Sequence, residues 1–232
     1  MSGRSRLDRF VSKAIGASLR EVQYQIARGE VRVNGRTAST INQQVDQFSL
    51  IEVDGKSLPN EAPVYLMMNK PAGVVSACKD IEHTTVLDLF EHPQKQQLHI
   101  VGRLDFNSTG LVLLTNDGHW SRRVSLPTSK LSKTYQVKLQ KNVSDECVQA
   151  FARGMYFRYE NLTTQAATLR VMEEKAAEVV LHEGKYHQIK RMFGRFDNPV
   201  LALHRSAVGR VQLDPSLQAG EIRALKTDEK LA

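Results

Sequence analysis

A chain of 232 residues, 41% of them hydrophobic, is long enough for one or two domains with proper cores. Its apolar stretches, such as Gly110–Thr115, fall far short of the ~20 residues that span a bilayer, and no apolar run follows the opening MSGRSRLDRF, so neither a membrane association nor a secretory leader is expected. Cys78 and Cys147 lack the spacing of a disulfide framework or a zinc site, which leaves a reducing, cytoplasmic setting as the expectation.

The net charge of +7 and a pI near 9.5 suggest an anionic partner. Residues 1–36 hold eight Lys/Arg against three Asp/Glu, and residues 184–210 hold six against one. The remainder is slightly acidic. Two separated basic segments predict two nucleic-acid contact surfaces; two solvated helix faces are the plainer alternative.

The first 58 residues predict a small α/β module. One short helix places Leu7, Phe10, Val11 and Ala14 on one face and stops at Gly16. A second opens at Ser18 with Glu21 three residues on, a capping box, carries Leu19, Val22 and Ile26, and ends near Gly29. Val31 and Val33 alternate in a strand before the hairpin signal Asn34–Gly35. Arg6, Arg9, Lys13, Arg20, Arg28 and Arg32 interleave with the apolar positions and can form an outer face. PNEAP at 59–63 reads as a linker.

From residue 64 strands dominate. They are expected at 64–68, 73–76, 98–101, 110–115, 134–139, 166–172, 176–182, 200–204 and 208–213. Helices are expected near 86–90 and 120–125, between Ser144 and Gly154, and from Tyr186 to Phe196. Clustered strands with intermittent helices predict an α+β fold with a mainly antiparallel sheet.

Three places could carry chemistry. Asp105 sits in a polar loop between two apolar strands, either a reactive carboxylate or a turn residue capping its own backbone. His187, Lys190 and Arg191 share a helical neighbourhood after Gly184, either to hold phosphates or a buried carboxylate, or as a basic solvent face. Tyr135 shares a strand face with Val137 and Leu139, either as a core residue or as a platform beneath an extruded base. The seven histidines lack metal-ligand spacing, and no phosphate-cradling glycine loop or serine elbow occurs. No metal, cofactor or acyl chemistry is therefore expected.

NKPAG at 69–73, GRLDFNSTGLVLLTNDG at 102–118, KTYQV at 133–137, EGKYHQIKRMF at 183–193 and GEIRAL at 220–225 occur in one order. Together they resemble the pseudouridine synthases of the ribosomal small-subunit synthase A group, over nearly the whole chain. Residues 1–58 resemble the RNA-binding fold of ribosomal protein S-four, with the catalytic domain following from residue 64.

The resemblance implies isomerisation of one uridine in small-subunit (16S) ribosomal RNA, uridine 516 by family likeness, without a cofactor, by a monomer acting on free RNA or an assembly intermediate, not on DNA. It implies Asp105 as the catalytic carboxylate, Tyr135 stacked on the target base and Lys190 as the ion-pair partner of Asp105. Arg103 would handle the flipped nucleotide and Leu203 would wall the pocket. Lys185, His187 and Arg191 would join the N-terminal basic residues in RNA contact. Lys185 stands where arginine is usual and loses a bidentate fork; Asn107 and Ser108 are milder variants. A large-subunit (23S) target, or a non-catalytic RNA-binding assembly protein, are the alternatives; the short C-terminus favours the small-subunit group.

Overall fold

The computed structural model describes residues 5–46, 49–58, 62–126 and 129–230. The chain divides into two compact units, Met1–Val64 and Tyr65–Ala232. Of the expected linker at 59–63, residues 59–61 lie outside the described residues.

In the first unit, β1 (Ser5–Arg6) leads into α1 (Leu7–Ile15) and α2 (Leu19–Ala27), followed by β2 (Val31–Val33), β3 (Arg36–Thr37), β4 (Gln44–Val45), β5 (Ile51–Val53) and β6 (Lys56–Ser57). The capping box of α2 is formed: Glu21 N donates to Ser18 Oγ at 3.3 Å, and Ser18 N donates to Glu21 Oε2 at 2.8 Å. Each satisfies an amide that the helix leaves open. Asn34 and Gly35 both take positive φ, 51° and 78°, which a two-residue type I′ turn requires between β2 and β3. The sheet order is β3-β2-β5-β6. Leu7, Val11, Val22 and Ile26 from the helices pack on Val31, Val33, Ile51 and Val53 from the sheet.

The second unit is built on one nine-stranded sheet. Its elements are β7 (Tyr65–Lys70), β8 (His99–Val101), β9 (Thr109–Thr115), α3 (Gly118–Ser125), β10 (Lys133–Leu139), α4 (Asp145–Arg153), β11 (Tyr156–Phe157), β12 (Leu162–Thr163), β13 (Thr168–Glu173), β14 (Ala176–Leu181), α5 (Gln188–Gly194), β15 (Val200–Val208), β16 (Val211–Gln212) and β17 (Ile222–Ala224). The order is β13-β14-β10-β15-β9-β7-β17, with β8 beside β9 and β16 beside β15. Pairing is antiparallel except at the centre, where β9 and β15 run parallel through His204 with Thr109 and Arg205 with Gly110.

Apolar layers cover both faces of this centre. Leu111 and Leu113 of β9 pack with Trp120 and Val124 of α3, while Val112 packs on the other face with Phe151 of α4 and Phe193 of α5. Burial on both sides explains why β9 reads as an unbroken apolar run, as doubly covered strands do. In β10, by contrast, Tyr135, Val137 and Leu139 are buried and Gln136 and Lys138 are exposed.

Four expectations are corrected. Residues 73–76 form no strand: Gly73 N donates to Phe106 O, and the Ser76 hydroxyl bonds Leu104, so this segment binds a loop instead of a neighbouring strand. The stretch 200–208 is one continuous strand rather than one ending at 204, because the charged Arg205 is buried within it with its guanidinium satisfied. Helix α5 starts at Gln188, not Tyr186, since His187 takes a left-handed backbone at φ 46°. The 86–90 helix is a single 3-10 turn, Val86–Leu89.

Candidate active site

Asp105 lies on the loop between β8 and β9, at the parallel seam of the sheet. Its Oδ2 is 3.2 Å from Lys190 Nζ and its Oδ1 is 3.4 Å from His187 Nε2. Lys190 stands in the first turn of α5 and His187 immediately precedes that helix. The Asp105 and Lys190 side chains are 28% and 32% exposed. A partly solvated pair of this kind contributes only ~0.2–1 kcal/mol to stability. Its significance therefore lies in placing a carboxylate between two basic groups, not in holding the fold.

The loop is fixed by buried polar groups. Arg205, wholly inside the protein, donates from Nη2 to Gly102 O at 2.6 Å, from Nη1 to Arg103 O at 3.4 Å and from Nε to Leu111 O at 2.8 Å. Lys70, equally buried, donates from Nζ to Pro71 O at 2.8 Å, Phe106 O at 3.2 Å and Ser108 O at 2.8 Å. Burial pushes the Lys70 ammonium down to about 8, against the opposing pull of the Asp105 charge. Ser76 Oγ donates to Leu104 O at 2.8 Å and accepts from Leu104 N at 3.0 Å. Ser108 N donates to Asp105 O at 3.0 Å. The carbonyl groups of residues 102–106 and of residue 108 are thus bound, and the loop has little freedom to move Asp105.

Gly110 makes the seam possible. A Cβ there would lie 2.3 Å from the Arg205 carbonyl oxygen, and its φ of +102° is one that side chains rarely adopt.

The Asp105 carboxylate opens into a pocket lined by Arg103, Leu104, Ser108, Tyr135, Leu181, Gly184, Lys185, His187, Gln188, Ile189 and Leu203. Tyr135 and Leu203, on adjacent strands β10 and β15, are buried. The turn into α5 is set by the buried Glu183, whose Oε1 accepts from Gln165 N and from Gln188 Nε2, both at 2.8 Å. Gln188 Oε1 in turn accepts from Lys185 N at 3.0 Å. The exposed Tyr186 ring stacks on His187 with centroids 3.9 Å apart.

The structure therefore brings Arg103, Asp105, Tyr135, Lys185, His187, Lys190 and Leu203 to one place. Arg191 is drawn elsewhere: it pairs with Glu160 and lies over the Phe157 ring at 4.2 Å. In the N-terminal unit Arg9, Lys13, Arg20, Arg28 and Arg32 are exposed. Arg6 instead pairs with the buried Asp8 at 2.7 Å, Arg28 pairs with Glu30 at 2.8 Å, and Arg32 donates to Gly35 O at 2.8 Å.

Sequence reasoning misses Lys70, Ser76, Glu183 and Arg205, which position the pocket from beneath. Arg205 has a legible signal, a lone charge inside an apolar stretch running from Val200 to Val208. Lys70 has another, a lysine closing the apolar strand before Pro71.

Comparison with known proteins adds a family. Residues 64–194 match the family model described as RNA pseudouridylate synthase. The chain is 47% identical to the ribosomal small subunit pseudouridine synthase A of Pseudomonas aeruginosa, over 97% of this chain and 98% of that one. It is 39% identical to the protein of the same name from Vibrio cholerae, over 98% of each. Among solved structures, a crystal structure of a pseudouridylate synthase superposes with a TM-score of 0.71 at 37% identity, covering 97% of both chains.

Proposed function

Since the chain belongs to the RNA pseudouridylate synthase family, we propose that it converts one uridine of small-subunit ribosomal RNA to pseudouridine, with Asp105 as the catalytic carboxylate. The observation that carries this reading is Asp105 itself, held on a rigid loop against Lys190 and His187 in a pocket walled by Tyr135. The names of the relatives in Pseudomonas aeruginosa and Vibrio cholerae support the small-subunit target. Uridine 516 is the finer assignment within this proposal, and the mapping described below tests it.

The chemistry is an isomerisation. The bond from the ribose to uracil N1 breaks, the base turns, and a bond to its C5 forms; the proton lost from C5 balances the one gained at N1. Electrons balance within the nucleotide, so the reaction needs no external oxidant or reductant. The uridine must first leave its stack, at about a few kcal/mol. Tyr135 replaces part of that stacking, and Leu203 confines the base. Arg103 handles the displaced nucleotide. Asp105 acts as a nucleophile or as a base on the sugar, and Lys190 is its counter-ion. The N-terminal unit, whose sequence resembles the RNA-binding fold of ribosomal protein S-four, adds phosphate contacts through its exposed Arg9, Lys13, Arg20, Arg28 and Arg32.

Carbodiimide mapping of small-subunit RNA, free and in assembly intermediates, tests this with wild type, Asp105→Ala and Lys190→Met. A single new stop is expected with wild type. Asp105→Ala should lose turnover by at least about a thousandfold while keeping RNA affinity. Lys190→Met should fall less far. Modification of large-subunit RNA instead would move the target, and an active Asp105→Ala would reject the carboxylate.

A further inference from the structure

The pocket contains a hydroxyl that the fold itself does not use. Ser108 is 1% exposed, and among the described residues its Oγ has no hydrogen-bond partner. Buried polar side chains almost always find partners, and an orphan hydroxyl is destabilising. The other buried serine at this loop shows how unusual this is: the Ser76 hydroxyl, from the segment that packs on the loop, both donates to and accepts from Leu104.

The backbone of Ser108 is held at both of its polar groups. Its N–H donates to Asp105 O at 3.0 Å, and its carbonyl accepts from buried Lys70 at 2.8 Å. The residue lies three positions after Asp105 and lines the same pocket, with Tyr135 and Leu203 as apolar neighbours in that lining. A rigid backbone, an unsatisfied hydroxyl and a pocket meet at one point.

We propose that Ser108 is a substrate-binding residue whose hydroxyl hydrogen-bonds the extruded nucleotide. The inference rests on the reading of this pocket as the uridine site. A serine hydroxyl both donates and accepts, and Leu104, Leu181 and Leu203 line the pocket with it; the partner that suits such a lining is a neutral group of that nucleotide, either a ribose hydroxyl or the polar edge of uracil. The unsatisfied hydroxyl of the free enzyme then gains its partner only when substrate is bound, which makes Ser108 a gauge of correct occupancy: a base that leaves the hydroxyl unpaired binds less well.

Ser108→Ala in the full chain separates this role from a structural one. The thermal midpoint should equal or exceed that of wild type, because removal of an unpaired buried hydroxyl relieves a penalty. On small-subunit RNA, kcat/KM should fall about five- to a hundredfold. A second arm places 2′-deoxyuridine at the modified position and measures the affinity of both proteins for that RNA. If the partner is the ribose 2′-hydroxyl, the deoxy substitution weakens wild type and leaves Ser108→Ala no further affected; if it is the uracil edge, the two losses combine. A kcat/KM within twofold of wild type overturns the proposal. So does a lowered midpoint with the activity loss, which returns the hydroxyl to structure. Absence of turnover by wild type on any ribosomal RNA refutes the parent reading instead, and is seen before the variant is made.

Discussion

The two units use positive charge in opposite ways. In the first, Arg9, Lys13, Arg20, Arg28 and Arg32 stand in solvent, and Arg9 and Lys13 have no ion-pair partner among the described residues. In the second, Lys70 and Arg205 are fully buried and aimed at backbone carbonyls of the loop that carries Asp105. The same residue types serve as a surface field in one unit and as internal scaffolding in the other. A count of charge along the chain therefore locates basic sequence, not basic surface. Of the six Lys/Arg in 184–210, Arg205 is inside, Lys190 faces Asp105 and Arg191 is tied to Glu160; Lys185, Arg195 and Arg210 remain exposed.

Three experiments press on this contrast, beginning with the largest effect. Arg205→Met should remove roughly 1.5–3 kcal/mol of stability, since the carbonyls of Gly102 and Leu111 lose a charged donor inside the protein. Chemical denaturation measures it, and a loss below about 1 kcal/mol would place Arg205 among the dispensable surface cations. Turnover should fall with it, as the Asp105 loop loosens.

The pH profile is the second. Lys70 titrates at about 8 in the folded chain. Above that pH its neutral amine offers two N–H groups to three carbonyls, so turnover should decline a few-fold along a limb near pH 8 that Lys70→Met lacks. The folded value lies below the unfolded one of ~10.4, so between these pH values the unfolded chain binds more protons and the Lys70 term raises stability with pH. Activity and this stability term then move in opposite directions, which distinguishes loop loosening from unfolding. A profile identical in both proteins would remove Lys70 from the account.

The smallest effect belongs to the outer charges. Arg9→Ala with Lys13→Ala should leave stability within about 0.5 kcal/mol and the maximal rate unchanged. RNA affinity should weaken, and the slope of its logarithm against that of salt should drop by up to about 0.7–0.9 for every phosphate no longer neutralised. An unchanged slope would mean that these exposed cations do not meet phosphate.

The sequence is legible where local physics decides. Ser18 with Glu21, Asn34 with Gly35, and the apolar run through Leu111–Leu114 each determine a cap, a turn or a doubly buried strand from neighbours in sequence. The carboxylate, the tyrosine and the basic turn before α5 are visible as chemistry in search of geometry. What escapes is long-range. Arg205 reads as a strand break because its acceptors are about a hundred residues away, at Gly102, Arg103 and Leu111. Residues 73–76 read as a strand because nothing nearby announces that Ser76 binds Leu104. Tyr186 reads as helical because the left-handed backbone of His187 has no signature in composition.

The seam at Gly110 also sets the terms on which this protein can vary. A methyl at 110 would strike the backbone of Arg205, which no change of the arginine side chain can relieve. A methyl at 102 would stand 3.6 Å from the Arg205 guanidinium, in ordinary contact but on a backbone with φ of +78°. Position 110 thus admits one residue under any neighbour, whereas positions 102 and 205 constrain each other. A lineage could drift at the rim of this pocket by single steps, but beneath it the first step at 110 is already a step off the fold.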